Sequence, residues 1–368
     1  MNILFVRYKK SQKIFEGGEQ VSQKNFNLLS KIVGSENITT YYVHDENVKK
    51  RFIDYVKGAY YFTKNYFFGL TPRRVAQIVN MAREYDVVFI DRSVFGIISK
   101  SLKENGYNGK VICFFHNVEV PYFDAKIGNH KPGKKIILNC VDNNDAFCCK
   151  YADKTIALNS RDDAEIYRRY HRHVNELIPV ALKDSYQRSS YSQEFTRKQP
   201  LCLFLGAYFP PNNEGIEWFM QHVYPHVNIS VKIVGKGMNK LREHYNIPDN
   251  IEVISDVPDL KPYFEEADLM ILPIFKGSGM KVKTCESLMY GKNILATDEA
   301  FMGYDIDYDM VGGKCNTGEE FIAKIKEFES NPRPRFNTYS RQIFLEKYTE
   351  EAVENKFRKI LIDYKFFI

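Results

Sequence analysis

Residues 272–291 read LPIFKGSGMKVKTCESLMYG, and this stretch decides the reading of the chain. An apolar run ends at Pro273. A glycine loop follows through Gly277, Ser278 and Gly279, and a helical stretch begins near Lys283 and stops at Gly291, a C-terminal cap. Glycines let backbone approach a ligand closely, and the free N–H groups of a helix start favour an anion. Lys281 and Lys283 set two positive charges beside that loop, so the residues suit a diphosphate. Glu286, read here as lying in the helix's first turn, is badly placed for a phosphate and well placed to accept hydrogen bonds from sugar hydroxyls. The same residues would also make an ordinary strand–loop–helix turn with solvated lysines.

Outward from this stretch the pattern repeats. Apolar runs at 201–205, 230–234, 251–254, 269–272 and 294–296 are strand candidates, with helical segments such as 214–222 and 283–290 between them. Upstream, 3–6, 39–43, 87–90, 111–115, 155–158 and 177–180 have the same near-continuous apolar character, which suits parallel strands buried on both faces. The polar segment 183–199 separates the two series and reads as a linker or long surface loop. The expected architecture is α/β: a first Rossmann-like domain at 1–182, the linker, a second at 200–345 and a helical tail at 346–368. Open parallel sheets bind ligands at the carboxyl ends of their strands, so two facing sheets would make a deep cleft.

The 368 residues are 44% hydrophobic and 27% charged, which excludes disorder as the main state. A net charge of +6 is too mild to indicate nucleic acid, and no apolar run reaches membrane-spanning length. The seven cysteines are scattered, and the adjacent pair Cys148 and Cys149 is poorly placed for a mutual disulfide. Reduced thiols and a cytoplasmic location are expected.

Several blocks together resemble the GT-B retaining glycosyltransferases of the family 4 group. Beyond 272–291, the resemblance runs through Phe204 to Gly215, a strand, a glycine turn at Gly206 and a Pro-Asn helix entry. It continues through Ile233-Val234-Gly235-Lys236-Gly237, through Val253 to Leu260, and through Ala296-Thr297 with Gly303. Order and spacing agree over about 100 residues. The resemblance implies a GT-B fold whose last helix returns to the first domain, no metal requirement and no cofactor beyond a nucleotide-diphosphate sugar donor. It implies that Glu286 holds the ribose, that Lys281 and less directly Lys283 neutralise the leaving diphosphate, and that Asp256 and Val257 flank the base. Gly206, Gly277, Ser278, Gly279 and Met280 would line the donor. Ser278 stands where many relatives carry a second glutamate, and the basic residue usual after the domain's first strand is missing between Gly206 and Gly215.

In the first domain, Gly17 and Gly18 follow the first strand and could approach a phosphate or an acceptor. His116, in Phe115-His116-Asn117-Val118-Glu119, resembles the family's first-domain histidine, which implies a place beside the donor sugar. Ser160 with Asp163 reads as a helix cap. His171 and His173 lack a third ligand, and Asp305 and Asp307 form an acid-x-acid pair in a late loop, so neither is taken as a metal site. No P-loop, zinc-protease motif or nucleophile elbow occurs.

Residues 49–74 stand apart. Seven basic residues accompany Asp54 alone, with eight aromatics, so the local net of 7 − 1 = +6 equals that of the whole chain. This suits an anionic membrane surface or a lipid-linked acceptor, and equally a helical insertion packed on the first domain. The expectation is a retaining, metal-independent glycosyltransferase acting on a glycan or lipid-linked hydroxyl, in surface polysaccharide or capsule assembly, cytoplasmic and peripheral to the membrane. A sugar-nucleotide 2-epimerase of the same fold and a weakly active partner subunit are the alternatives.

Overall fold

The computed structural model describes residues 1–8, 17–44, 52–127, 132–187, 195–277 and 279–362. The chain divides into two compact units, Met1–Ile178 with Glu354–Ile368, and Pro179–Val353.

The first unit holds a six-stranded sheet of β1 (Ile3–Arg7), β2 (Ile38–Tyr42), β3 (Val87–Ile90), β4 (Lys110–Phe115), β5 (Lys154–Ala157) and β6 (Glu176–Leu177). The order is β2-β1-β3-β4-β5-β6 and every pair is parallel. β1 and β3 are buried along their whole length, as a sheet covered by helices on both faces demands. The chain reverses direction across the sheet between β1 and β3, so the crevice for ligands lies beyond Arg7 and Ile90.

The second unit repeats the plan with β7 (Leu201–Leu205), β8 (Ser230–Gly235), β9 (Glu252–Ser255), β10 (Leu269–Leu272), β11 (Asn293–Ala296) and β12 (Gly312–Lys314). Its order, β12-β11-β10-β7-β8-β9, is the dinucleotide-fold order, and its switch point lies between β7 and β10. The loops leaving those two strands are the 206–209 turn and the glycine loop that decided the sequence reading. β12 is the strand the sequence did not announce. A Cβ at Gly312 would lie 2.6 Å from the Ile294 carbonyl oxygen, so this edge pairing needs glycine where strand propensity is poor.

The tail is helical in pieces: Thr338–Ile343, a wide turn at Phe344–Tyr348, then Glu350–Ile362. From Glu354 onward the last helix belongs to the first unit. Phe357 packs on Phe89 and Phe114, Glu354 pairs with Lys31 at 2.6 Å, and Lys356 donates to the Leu177 carbonyl. The described parts of 183–199 belong to the second unit. Asp184 accepts from Arg341 at 2.9 Å, and Phe195 bridges to Pro334. All seven cysteines are free and buried.

Candidate functional site

In the second unit, the carboxyl ends of β7, β8 and β10 bring the expected ligand residues together. Gly206 opens the β7 turn, and a Cβ there would stand 2.9 Å from Asn212 Nδ2 and 3.1 Å from Lys283 Nζ. Asn212, in the helix Pro210–His222, ties the turn by donating to the Ala207 carbonyl at 2.8 Å. Its Oδ1 accepts from Lys283 Nζ at 2.7 Å, and the ammonium lies 4.9 Å above the Phe204 ring. Lys283, from the helix after the β10 loop, thus sets an ammonium beside the β7 turn, where the stretch from Gly206 to Gly215 has no basic residue of its own.

The helix starts at Val282, with Lys281 in the capping position and its side chain making no capping hydrogen bond. Gly279 has φ of +66°, a left-handed conformation that favours glycine, and its carbonyl accepts from Lys281 Nζ. Lys281 Nζ also lies 2.7 Å from Glu299 Oε1, with both side chains largely buried. Tyr304 donates to the Lys281 carbonyl, while Thr297 donates to the Ile274 carbonyl and accepts from Ala300 N. The loop is therefore held from both β10 and β11. Met280 is buried beneath it, and Ser278 lies outside the described residues.

Glu286 sits one turn further into the helix than the sequence suggested, half-buried, and its carboxylate makes no hydrogen bond among the described residues. Burial pushes its carboxyl up to about 7, with Lys283 opposing. Burial lowers the Lys283 ammonium to about 7, Glu286 opposing and Lys281 adding to the fall. A bound diphosphate favours the protonated amine, so binding above pH 7 takes up a proton. Affinity for a nucleoside diphosphate is expected to fall as pH rises above 7, by up to about tenfold per unit. Titration calorimetry in buffers of different ionisation enthalpy checks this, with the plain nucleoside as a pH-insensitive control.

Asp256 follows β9 in a left-handed conformation, φ +55°, exposed, and its carboxylate accepts weakly from Gly237 N at 3.4 Å. Val257 beside it is half-buried. Both stand on the loop after β9, next to the β8 turn.

In the first unit the residues at the strand ends form a second, more deeply buried cluster. His116 follows β4 and is 3% exposed. Its Nε2 lies 3.4 Å from Asp91 Oδ1, just past β3, and that oxygen also accepts from Asn25 Nδ2 at 2.9 Å. Gly17 and Gly18 form the first turn of the helix Gly17–Val33 rather than a free loop. Glu19, two residues in, is shared by Arg7 at 3.5 Å and Arg92 at 3.2 Å.

The set-aside motifs have structural duties. Asn159, not Ser160, caps the helix Ser160–Tyr170 by accepting from Asp162 N. His173 pairs with Asp163 and stacks on Tyr167, Asp307 caps a short helix, and Asp305 pairs with Lys347. Of the aromatic segment, Lys49, Lys50 and Arg51 lie outside the described residues. Phe67 is core, packed on Phe62, Phe95 and Phe123, whereas Tyr60 and Phe68 are exposed. No helix among the described residues is long and apolar enough to cross a membrane.

Sequence reasoning missed Asn212, Glu299 and Asp91. Asn212 stood in the quoted Pro-Asn helix entry, so a signal existed. Glu299 and Asp91 meet their partners only through the fold.

Residues 199–328 match the family model of Glycosyl transferases group 1. No curated protein matches the sequence. Among solved structures, HepE of Anabaena in complex with UDP is similar at 12% identity and a TM-score of 0.64, over 99% of this chain and 100% of that one. A UDP-forming α,α-trehalose-phosphate synthase of Burkholderia xenovorans is similar at 11% identity and 0.61, over the whole of both chains. A glycosyltransferase of Rickettsia africae gives 12% and 0.60, over 98% of each.

Proposed function

We propose, from the GT-B fold and the glycosyl transferases group 1 match within the second unit, that the chain is a glycosyltransferase whose second unit binds a nucleotide-diphosphate sugar, with a UDP-sugar the first donor to try. The observation that carries this is the switch-point constellation: a glycine loop, an amine held by a neutral amide, and, one helical turn on, a carboxylate with no hydrogen bond among the described residues. Lys283 and the loop N–H groups meet the diphosphate, Glu286 accepts from the ribose hydroxyls, and Asp256 with Val257 flanks the base. As the sugar–phosphate bond breaks, negative charge grows on the diphosphate, where fixed donors lower the barrier most. That one similar structure holds UDP and another belongs to a UDP-forming enzyme supports the choice of base. His116 is assigned to the donor sugar. Transfer with retention and without metal, to a glycan or lipid-linked hydroxyl in surface polysaccharide assembly, completes the proposal.

Calorimetric titration with UDP-, GDP- and dTDP-sugars tests it. One nucleotide series should bind, and Glu286→Ala should weaken it by about 10- to 100-fold, the loss of one or two charge-assisted hydrogen bonds. Binding of no series, or full affinity in Glu286→Ala, would sink the assignment.

A further inference from the structure

We propose that Asp91 and Asn25 are positioning residues that fix the ring of His116, leaving its bare Nδ1 to accept a hydrogen bond from a hydroxyl of the sugar substrate. This rests on the function proposed above and deepens it.

The geometry starts from a neutral imidazole, which has one N–H and one lone pair. Nε2 faces Asp91 Oδ1, and that carboxylate is wholly buried. Asn25 Nδ2 donates to the same oxygen, and the Ser22 hydroxyl lies beside the carboxylate from the same helix, three residues earlier. A proton on Nε2 satisfies this contact. A proton on Nδ1 would instead turn the Nε2 lone pair against a carboxylate oxygen. Burial holds His116 below its ordinary range despite Asp91, with Arg92 lowering it further and Glu19 opposing, while Asp91 is held below its own range by the ring and its hydrogen-bond donors despite burial. The pair is thus a carboxylate beside a neutral ring.

Nδ1 is then the informative atom. It is buried and has no hydrogen-bond partner among the described residues. A buried acceptor left unpaired destabilises the site, and a substrate donor would recover that loss. That donor must carry a hydrogen. Phosphate oxygens and carbonyls are excluded as partners, and a sugar hydroxyl is the class that fits the proposed reaction. The ring is then an acceptor of fixed direction, and Asp91 acts only through it.

Two measurements on the full chain decide this. The first is 15N NMR of histidine-labelled protein without substrate, with the His116 signals identified by their loss in His116→Gln. Wild type should show a protonated, pyrrole-type Nε2 and a bare, pyridine-type Nδ1, and Asp91→Ala should average or reverse them. Should Asp91→Ala fail to fold, Asn25→Ala, which keeps the carboxylate, should loosen the preference in the same direction. A protonated Nδ1 in wild type, or unchanged signals in the variants, overturns the proposal. The second compares turnover of the nucleotide sugar that binds. Asparagine places an amide oxygen on Cγ, where Nδ1 is bonded, and glutamine does not. His116→Asn should retain about tenfold more kcat than His116→Gln, and Asp91→Ala should lower kcat by about 10- to 100-fold with little change in donor KM. Equal or better activity in His116→Gln also overturns it. If wild type turns over no nucleotide sugar, the functional reading fails by itself, and the NMR result still settles the ring.

Discussion

Replacing Lys283 by methionine is expected to lower donor kcat/KM by about 100- to 1,000-fold while leaving the melting temperature unchanged or higher. The two halves of this result have one cause. Lys283 is brought between the β7 and β10 loops, where among the described residues its ammonium hydrogen-bonds a neutral amide oxygen and lies over the face of Phe204, with the Glu286 carboxyl acting on it without a hydrogen bond. An amine lowered to about 7 by burial is one the fold would rather not charge, since the unfolded chain protonates it up to its ordinary value of 10.5. Between pH 7 and 10.5 the unfolded state therefore binds more protons, so the group's cost to the fold is full below pH 7 and fades as the pH rises to 10.5, a cost that an apolar side chain of similar length would not carry. On the proposed function, a bound diphosphate would reverse the balance by supplying a stronger counter-charge. Lys281 differs. Its ammonium is already matched by Glu299 at 2.7 Å, so less of its charge is uncommitted before a ligand arrives. Lys281→Met should cost less activity than Lys283→Met and give no gain in stability. Thermal melts and steady-state kinetics on both variants read this directly. A larger loss in Lys281→Met would return the main electrostatic role to Lys281.

That ranking was not legible in the sequence, whereas the sheets were. Among the described residues eleven of the twelve strands overlap an apolar run, and the central ones, such as Val87–Ile90, are apolar throughout because both faces of the sheet are covered there. The exception, Gly312–Lys314, follows from the same physics, since an edge strand made by close backbone approach needs no apolar signature. Within the site, the glycine loop and Glu286 were legible because their chemistry is local to one strand–loop–helix unit. The partners that set their charge states come from elsewhere: Asn212 lies 71 residues before Lys283, and Asn25 lies 66 before Asp91. Spacing along the chain holds no information about such pairs. The resemblance ranks Lys281 before Lys283, and the pairing with Glu299 that motivates the opposite ranking proposed here is formed only by the fold.

The glycine at the end of β8 should be as sensitive as any charged residue. A Cβ added at Gly235 would lie 1.9 Å from the Gly206 carbonyl oxygen and 2.6 Å from its carbon, both main-chain atoms that no rotamer change can move. To regain an ordinary 3.4 Å contact the β7 turn must retreat by about 1.5 Å. Gly206 N donates to Val234 O, and Tyr208 N to Lys236 O, so the two loops are bonded on either side of the collision and cannot separate without losing those bonds. Gly235→Ala is therefore expected to cost about 1–3 kcal/mol of stability, the range for overpacking a close-packed interior. The same displacement moves Ala207, and with it Asn212, the partner of Lys283, so nucleotide affinity should fall together with stability. Gly58→Ala is the matching control. It lies in the helix Phe52–Thr63 with nothing within 4 Å of an added Cβ, and alanine there should stabilise by up to about 1 kcal/mol. Denaturant unfolding and nucleotide titration on the two variants separate the effects. A Gly235→Ala protein that unfolds like wild type but binds nucleotide weakly would show that the β7 turn yields readily and that its position serves the ligand alone. One that is destabilised yet binds normally would show that Lys283 reaches the diphosphate without Asn212 to hold it.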